Sequence, residues 1–250
     1  MAEHPSFLNA GNAGPFTLDG TRCYRIGRRT AVVLDPGPDV DHHVRALSSW
    51  PSDAQRVTVV VTHGHADHAE AAPALARTLG VGVVGPEGVP QVSEPMAPGA
   101  RLETDQGTLV AVDTPGHARH HFCFLWEERS ALFVGDLLLG EGDTTWVAEY
   151  PGCVADYLAS LEKVRALAPA VIYPAHGPPI EDVPDALDRY ERHRRARIDQ
   201  VAEALRHRLE ATPDDLVTAV YGSELPSAMH GAARMSLAAL LEYVRGTPGA

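Results

Sequence analysis

The sequence predicts a layered α/β protein that ends in a helical tail. Up to about residue 180, short apolar and β-branched runs alternate with turn clusters and helix-like stretches; the pattern then changes to long stretches of helical period. The 250 residues, 44% apolar and 22% charged, suit one good-sized core plus an appendage rather than a disordered chain.

Thr30–Gly37 (TAVVLDPG) reads as a strand stopped by an Asp-Pro-Gly turn. Arg56–Thr62 (RVTVVVT) is apolar and β-branched, so both of its faces should be buried. Strands follow near Val81 (VGVVG), from Thr108 (TLVAVDTPG), from His121 (HFCFLWEE) and from Ser130 (SALFVGD). Ala155–Pro169 spaces its apolar residues for a helix, and Ala170–Gly177 (AVIYPAHG) is a strand running into a loop. Beyond Pro184, Asp185–Glu210 reads as one helix with Leu187, Tyr190, Ile198, Val201, Leu205 and Leu209 on one stripe. Thr212-Pro213-Asp214-Asp215 supplies a cap, a first-turn proline and acidic residues for a helix that stops at Gly222. Ser227–Arg245 forms the last helix, ended by Gly246. The expected division is a catalytic body, residues 1–182, and a helical region, residues 183–250, too small to stand alone and so packed on the body.

Composition narrows the partners. A net charge of −12 argues against generic attraction to nucleic acid or anionic membrane. No run approaches the ~18 apolar residues of a membrane span, and the start, MAEHPSFLNAGNAG, has neither the basic end nor the apolar stretch of a secretion signal. A cytoplasmic location is expected. Cys23, Cys123 and Cys153 are odd in number and far apart, which speaks against a disulfide framework or a thiolate metal site.

The chemistry lies in VVVTHGHADHAEA, Val59–Ala71, where a strand ends and His63, His65, Asp67 and His68 follow on one turn. As core residues each would need its own buried partner, and an unpaired one costs roughly 1–3 kcal/mol. A divalent cation satisfies all four together, since imidazole and carboxylate are zinc's ligands. More such residues follow in the same local setting: His117 after a strand and a Pro-Gly turn, Asp136 and His176 at the ends of apolar strands. Seven ligands at strand ends suit two metals on one rim, with Asp136 bridging.

THGHADH, TPGHARHH, FVGD and PAHG resemble the metal motifs of the metallo-β-lactamase superfamily, a four-layer αββα sandwich. The resemblance implies one metal on His63, His65 and His117, another on Asp67, His68 and His176, and Asp136 between them. NAGPFTLDGTRCY, GDLLLGEGDT, YLASLEKVRAL, YPAHGPPI and HRRAR extend it along nearly the whole chain, to the β-lactamase-like protein 2 group, whose members continue into a small winged-helix-like tail. Arg22 stands where that group usually has Asn, and Gly64 where a bulkier residue is common; neither change removes a ligand.

Two Zn2+ ions sharing a water lower its pKa enough to give hydroxide near neutral pH; Mn2+ or Fe2+ are the alternatives to zinc. Asp67 would hold a metal and also orient, or take a proton from, the nucleophile. The expected function is metal-dependent hydrolysis of an ester, thioester or lactone of a small molecule. The alternative is a phosphodiesterase or endoribonuclease acting on single-stranded RNA, which the resembled group includes. For it speak Arg189, Arg192, Arg194, Arg195 and Arg197 on one helix; a solvated face paired with Glu191 and Asp199 explains most of them equally well. Against it, the short interval from Asp136 to His176 leaves no room for the large domain that RNA-processing relatives insert there. Two other classes are a mononuclear iron persulfide dioxygenase, which shares H-x-H-x-D-H, and a metal-dependent DNA-binding sensor, which the few basic residues of the last helix disfavour.

Arg194 falls on the apolar stripe between Tyr190 and Ile198, so it should point inward and need an anionic partner, either a structural carboxylate or a substrate group. Asp35 in LDPG is placed to hold a metal-binding histidine. His121 is expected to orient a ligand or the substrate, and Trp146 and Tyr150 to line the pocket.

Overall fold

The structure is a computed structural model that describes residues 4–247. One sheet carries β1 (Ser6–Asn9), β2 (Arg22–Ile26), β3 (Thr30–Leu34), β4 (Arg56–Val60), β5 (Val83–Pro86) and β6 (Glu94–Met96) in chain order. Its first three strands pair antiparallel and the rest parallel. Parallel neighbours need crossovers: α1 (Asp41–Ser49) joins β3 to β4, α2 (Ala66–Ala69) and α3 (Ala72–Leu79) join β4 to β5, and a turn segment without a helix, residues 87–93, joins β5 to β6. The second sheet contains β7 (Arg101–Thr104), β8 (Gly107–Asp113), β9 (Phe122–Trp126), β10 (Ala131–Gly135) and β11 (Val171–Pro174), in the order β11-β10-β9-β8-β7. Only β10 and β11 are parallel there, and α4 (Cys153–Leu167) makes their crossover.

Side-chain alternation along the central strands sets the layers. In β3, Val32 and Leu34 join Phe124, Trp126 and Phe133 between the sheets, while Val33 packs outward with Leu47 of α1 and Leu75 of α3. In β10, Phe133 faces the other sheet, and Leu132 and Val134 face outward onto Tyr157 and Leu161 of α4. Helices, sheet, sheet and helices therefore stack as the expected αββα sandwich.

The tail consists of α5 (Val183–His207), α6 (Pro213–Tyr221) and α7 (His230–Gly246). Its Leu187, Tyr190, Leu216, Leu237 and Leu240 share one apolar cluster with α4. No strand follows β11 among the described residues, so this region is helical and shows no wing. Thr212 caps α6 as expected, and it does so through a capping box with Asp215. Leu209 departs from its expected place on the buried stripe: α5 ends at His207, and Leu209 is 76% exposed beyond it.

The rim where the strands end is stitched across the two sheets. Phe122 N–H donates to the Thr62 carbonyl at 2.9 Å, and Arg22 N–H to the Ala175 carbonyl at 2.7 Å. Tyr24 Oη donates to the Pro174 carbonyl at 2.7 Å. These bonds bring the loops after β4 and β11 to the same place.

Gly116, at φ +136° in the loop before His117, lies against α4, where a Cβ would fall 2.5 Å from Tyr157 Cα. Gly116→Ala should therefore lower stability by about 2–4 kcal/mol. Gly80→Ala, at φ +69° with open space around it, should cost only about 1–2 kcal/mol. Denaturant unfolding compares them, and equal losses would contradict the close approach of the His117 loop to α4.

Candidate metal centre

Each predicted ligand sits just past a strand end. His63 follows β4, with His65 opening the short α2 that carries Asp67 and His68. His117 follows β8, Asp136 follows β10 and His176 follows β11. The seven fall into two groups, His63–His65–His117 and Asp67–His68–Asp136–His176, with the facing atoms of each group within 4.8 Å of one another. Asp136 reaches both: its Oδ1 lies 3.3 Å from the Nε2 of His68 and of His176, and its Oδ2 lies 3.7 Å from His117 Nε2.

The far side of each ring is already held. Asp35 Oδ2 accepts from His68 Nδ1 at 3.0 Å and from Thr62 Oγ1 at 2.8 Å, and Thr62 Oγ1 is 3.0 Å from His63 Nδ1. Since the Thr62 hydroxyl proton goes to Asp35, the hydroxyl oxygen accepts from His63. His117 Nδ1 donates to the Trp146 carbonyl at 2.9 Å, and His176 Nδ1 to the Gly20 carbonyl at 3.3 Å. Four imidazoles are thus fixed in the tautomer that leaves Nε2 free to ligate. His65 differs, presenting Nδ1 to His117 Nε2 at 3.0 Å.

A metal pair fits this arrangement. The Nε2 atoms of His63, His68 and His176 and the Oδ1 of Asp136 are buried with no hydrogen-bond partner. Such atoms are costly in a protein interior, and here they are the ones that converge. Five imidazoles and two carboxylates form a donor set suited to zinc and to other borderline divalent ions.

The two groups differ in charge. Burial pushes His63 well below the usual imidazole range, aided by its imidazole neighbours, and pushes His117 down to about 4. For His176 burial acts downward too, but the Asp136 and Asp67 carboxylates override it and raise the group to about 9. His68 is likewise raised well above its ordinary value against its burial, by Asp136 and Asp35. Burial would raise Asp67 and Asp136, but their histidine partners hold both below the usual carboxylate range.

His65, Asp67, His117 and Asp136 face a cavity of about 770 Å3 that runs to α5, α6 and α7. Trp146 and Arg194 also line it, whereas Tyr150 does not: its hydroxyl donates to Asp156 at 2.8 Å instead. His121 is buried behind the first group, 5.1 Å from the His63 ring, with Thr114 Oγ1 at 2.9 Å from its Nδ1, and is not among the grouped ligand atoms. Among the other arginines of that run on α5, Arg189 pairs with Asp185 and Arg195 with Glu191, whereas Arg192 and Arg197 have no ion-pair partner among the described residues. His193 is set on Asp143 at 3.2 Å in the cavity wall, a place that its position in HRRAR beside Arg194 did not single out.

A four-layer sandwich with this cluster on the shared rim of its sheets defines a metallohydrolase. The chain belongs to the metallo-beta-lactamase superfamily, whose pattern it matches over residues 16–95 and 89–176. The "Beta-lactamase-like protein 2 homolog" of Caenorhabditis elegans is 33% identical over 223 residues, covering 84% of this chain and 74% of that protein. The "Atrochrysone carboxyl ACP thioesterase" of Aspergillus fumigatus is 32% identical over 240 residues, covering 85% of this chain and 53% of that protein. A metallo-beta-lactamase family protein from Thermus thermophilus shares the fold with a TM-score of 0.78 at 22% identity, over 96% of this chain and 93% of that one.

Loss of the buried supports should weaken metal binding by about 10–100-fold. Thr62→Val is expected to affect only the ion at His63, whereas Asp35→Asn should affect both; competition against a chromophoric chelator measures each, and unchanged affinities would refute the support. Protonated His68 and His176 must lose a proton to ligate, whereas His63 and His117 are already neutral. Affinity of the Asp67–His68–Asp136–His176 group should therefore rise with pH up to about 9, with no matching contribution from His63 or His117 to the pH dependence of the other group. Calorimetric titration of the metal-free protein, in buffers of different ionisation enthalpy, should show more protons released by one equivalent than by the other.

Proposed function

We propose that the protein hydrolyses an ester, thioester or lactone of a small molecule, with two divalent ions, zinc by preference, as cofactors. One ion would be held by His63, His65 and His117 and the other by Asp67, His68 and His176, with Asp136 between them. The observation that carries the substrate class is the cavity itself. Its floor is the cluster, and its walls include Phe16, Leu139, Trp146 and Val147 of the body and Leu225 and Met229 of the tail. A volume of about 770 Å3 with mainly apolar walls matches a drug-sized acyl compound rather than a polyanion. The similarity to a protein named as a thioesterase supports a thioester within that class.

When bound, the ion pair would lower the pKa of a shared water and polarise the scissile carbonyl. The chain's own groups do the rest. Asp67, ionised and open to the cavity, accepts a hydrogen bond from the attacking water and takes its proton. The Trp146 and Gly20 carbonyls keep His117 and His176 aimed, and the apolar walls hold the acyl body and exclude bulk water.

His63→Ala and Asp136→Ala should each lose bound metal and lower kcat/KM by roughly three orders of magnitude or more. The purified protein would be assayed against thioesters, lactones, phosphodiesters and single-stranded RNA alongside metal quantification. Full turnover without metal, or RNA cleaved in preference to every acyl compound, would overturn the proposal. One iron per chain with oxygen consumption would assign the dioxygenase class instead.

A further inference from the structure

Arg194 is 3% exposed, yet no carboxylate lies within ion-pair distance of it among the described residues. The anionic partner that its place on the buried stripe requires is not supplied by any described residue. Its Nη2 donates to the Thr145 carbonyl at 3.1 Å, its guanidinium carbon lies 5.3 Å from the centre of the Tyr157 ring, and its Nε has no partner. A guanidinium stays charged at any physiological pH, and a buried charge without a counter-ion is strongly unfavourable.

The same side chain lines the cavity that the metal cluster floors. One turn on along α5, Arg197 lines it too, held by the Val220 carbonyl at 2.6 Å and by Gln200, again with no carboxylate partner among the described residues. Thr145 links this end of the cavity to the centre: its hydroxyl donates to the Asp136 carbonyl at 2.9 Å and lies 3.4 Å from His117 Nδ1. A single residue thus separates Arg194 from two of the candidate ligands.

We infer that Arg194, flanked by Arg197, binds an anionic group on the acyl portion of the substrate, so that the preferred substrate is an acyl compound with a carboxylate a short chain away from the scissile carbonyl. This inference rests on the hydrolase reading and narrows it. The anion belongs to the acyl portion because Arg194 stands so close to the centre; a charge on a long leaving group would lie farther out.

The test compares ω-carboxyacyl and plain acyl thioesters of N-acetylcysteamine, an uncharged thiol, over four to eight carbons, with the metal-loaded enzyme. At the best length the carboxylated substrate should show at least ten-fold higher kcat/KM. Arg194→Met should bring that ratio to within about two-fold of one, as expected when a charged hydrogen bond is lost. A merely structural arginine would lower both rates together and leave the ratio intact, and that result overturns the inference. So does a wild-type ratio near one at every length. If Arg194→Met does not fold, Arg194→Lys takes its place and should cut the ratio at least five-fold, because the ammonium lacks the planar fork. If no acyl compound is turned over, the hydrolase reading fails separately. Calorimetric binding to the metal-loaded protein then decides: dicarboxylates of four to eight carbons should bind at least ten-fold tighter than the matching monocarboxylates, and equal affinities overturn the inference.

Discussion

Everything at the rim is organised around a set of buried polar atoms that no described residue satisfies. The Nε2 atoms of His63, His68 and His176 and the Oδ1 of Asp136 lack partners, and they come together at one point instead of being scattered through the core. A fold keeps such a cluster only if its backbone is fixed elsewhere, because unpaired groups left to themselves would turn toward water. The fixing comes from strand pairing on both sides. β3 and β4 run parallel in one sheet and β10 and β11 in the other, so four chain ends are delivered to the rim by hydrogen bonds far from the cluster.

Asp35 links that scaffold to the chemistry. It follows β3 in a left-handed backbone conformation, φ +52°, which aspartate adopts more readily than most residues. Its two oxygens take the Thr62 amide at 2.7 Å, the Thr62 hydroxyl and His68 Nδ1. One carboxylate thereby orients a ligand of each group, directly for His68 and through Thr62 for His63. The geometry of both candidate metal positions depends on one turn in the first sheet.

What was legible in the sequence was what side chains announce. Val59–Val61 ends abruptly in charged and imidazole groups, and the same abrupt change marks Asp136 and His176, so the residues that converge at the rim could be read without coordinates. The groups that hold His117 and His176 are the carbonyls of Trp146 and Gly20, and a backbone acceptor has no residue signature. The missed strands have a similar explanation. β1 and β7 are four residues long with mostly exposed or half-exposed side chains, and β2 carries Arg22 and Arg25, whose charges mask its alternation. Helix α1, though amphipathic, opens on Asp-His-His and buries only His43 and Leu47. Leu209 was misplaced because helical periodicity continues past the residue where the backbone departs from the helix.

The tail supplies one wall of the cavity that the candidate metal centre floors. On α5, positions 190, 194 and 198 form one inward row, and 193 and 197 form the row beside it, as the helical repeat requires. Tyr190 and Ile198 spend that inward direction on the apolar cluster shared with α4. His193, Arg194 and Arg197 spend it on the cavity, while Arg189 and Arg195 turn away to acidic partners on their own helix. One helix therefore carries both the contact that seats the tail on the body and charged groups that line the cavity. Because the candidate ligands follow strands of the sheets and these charges sit on the tail, the proposed metal chemistry and the proposed choice of substrate rest on separate elements, and on that proposal a change in α5 alters the second without rebuilding the first.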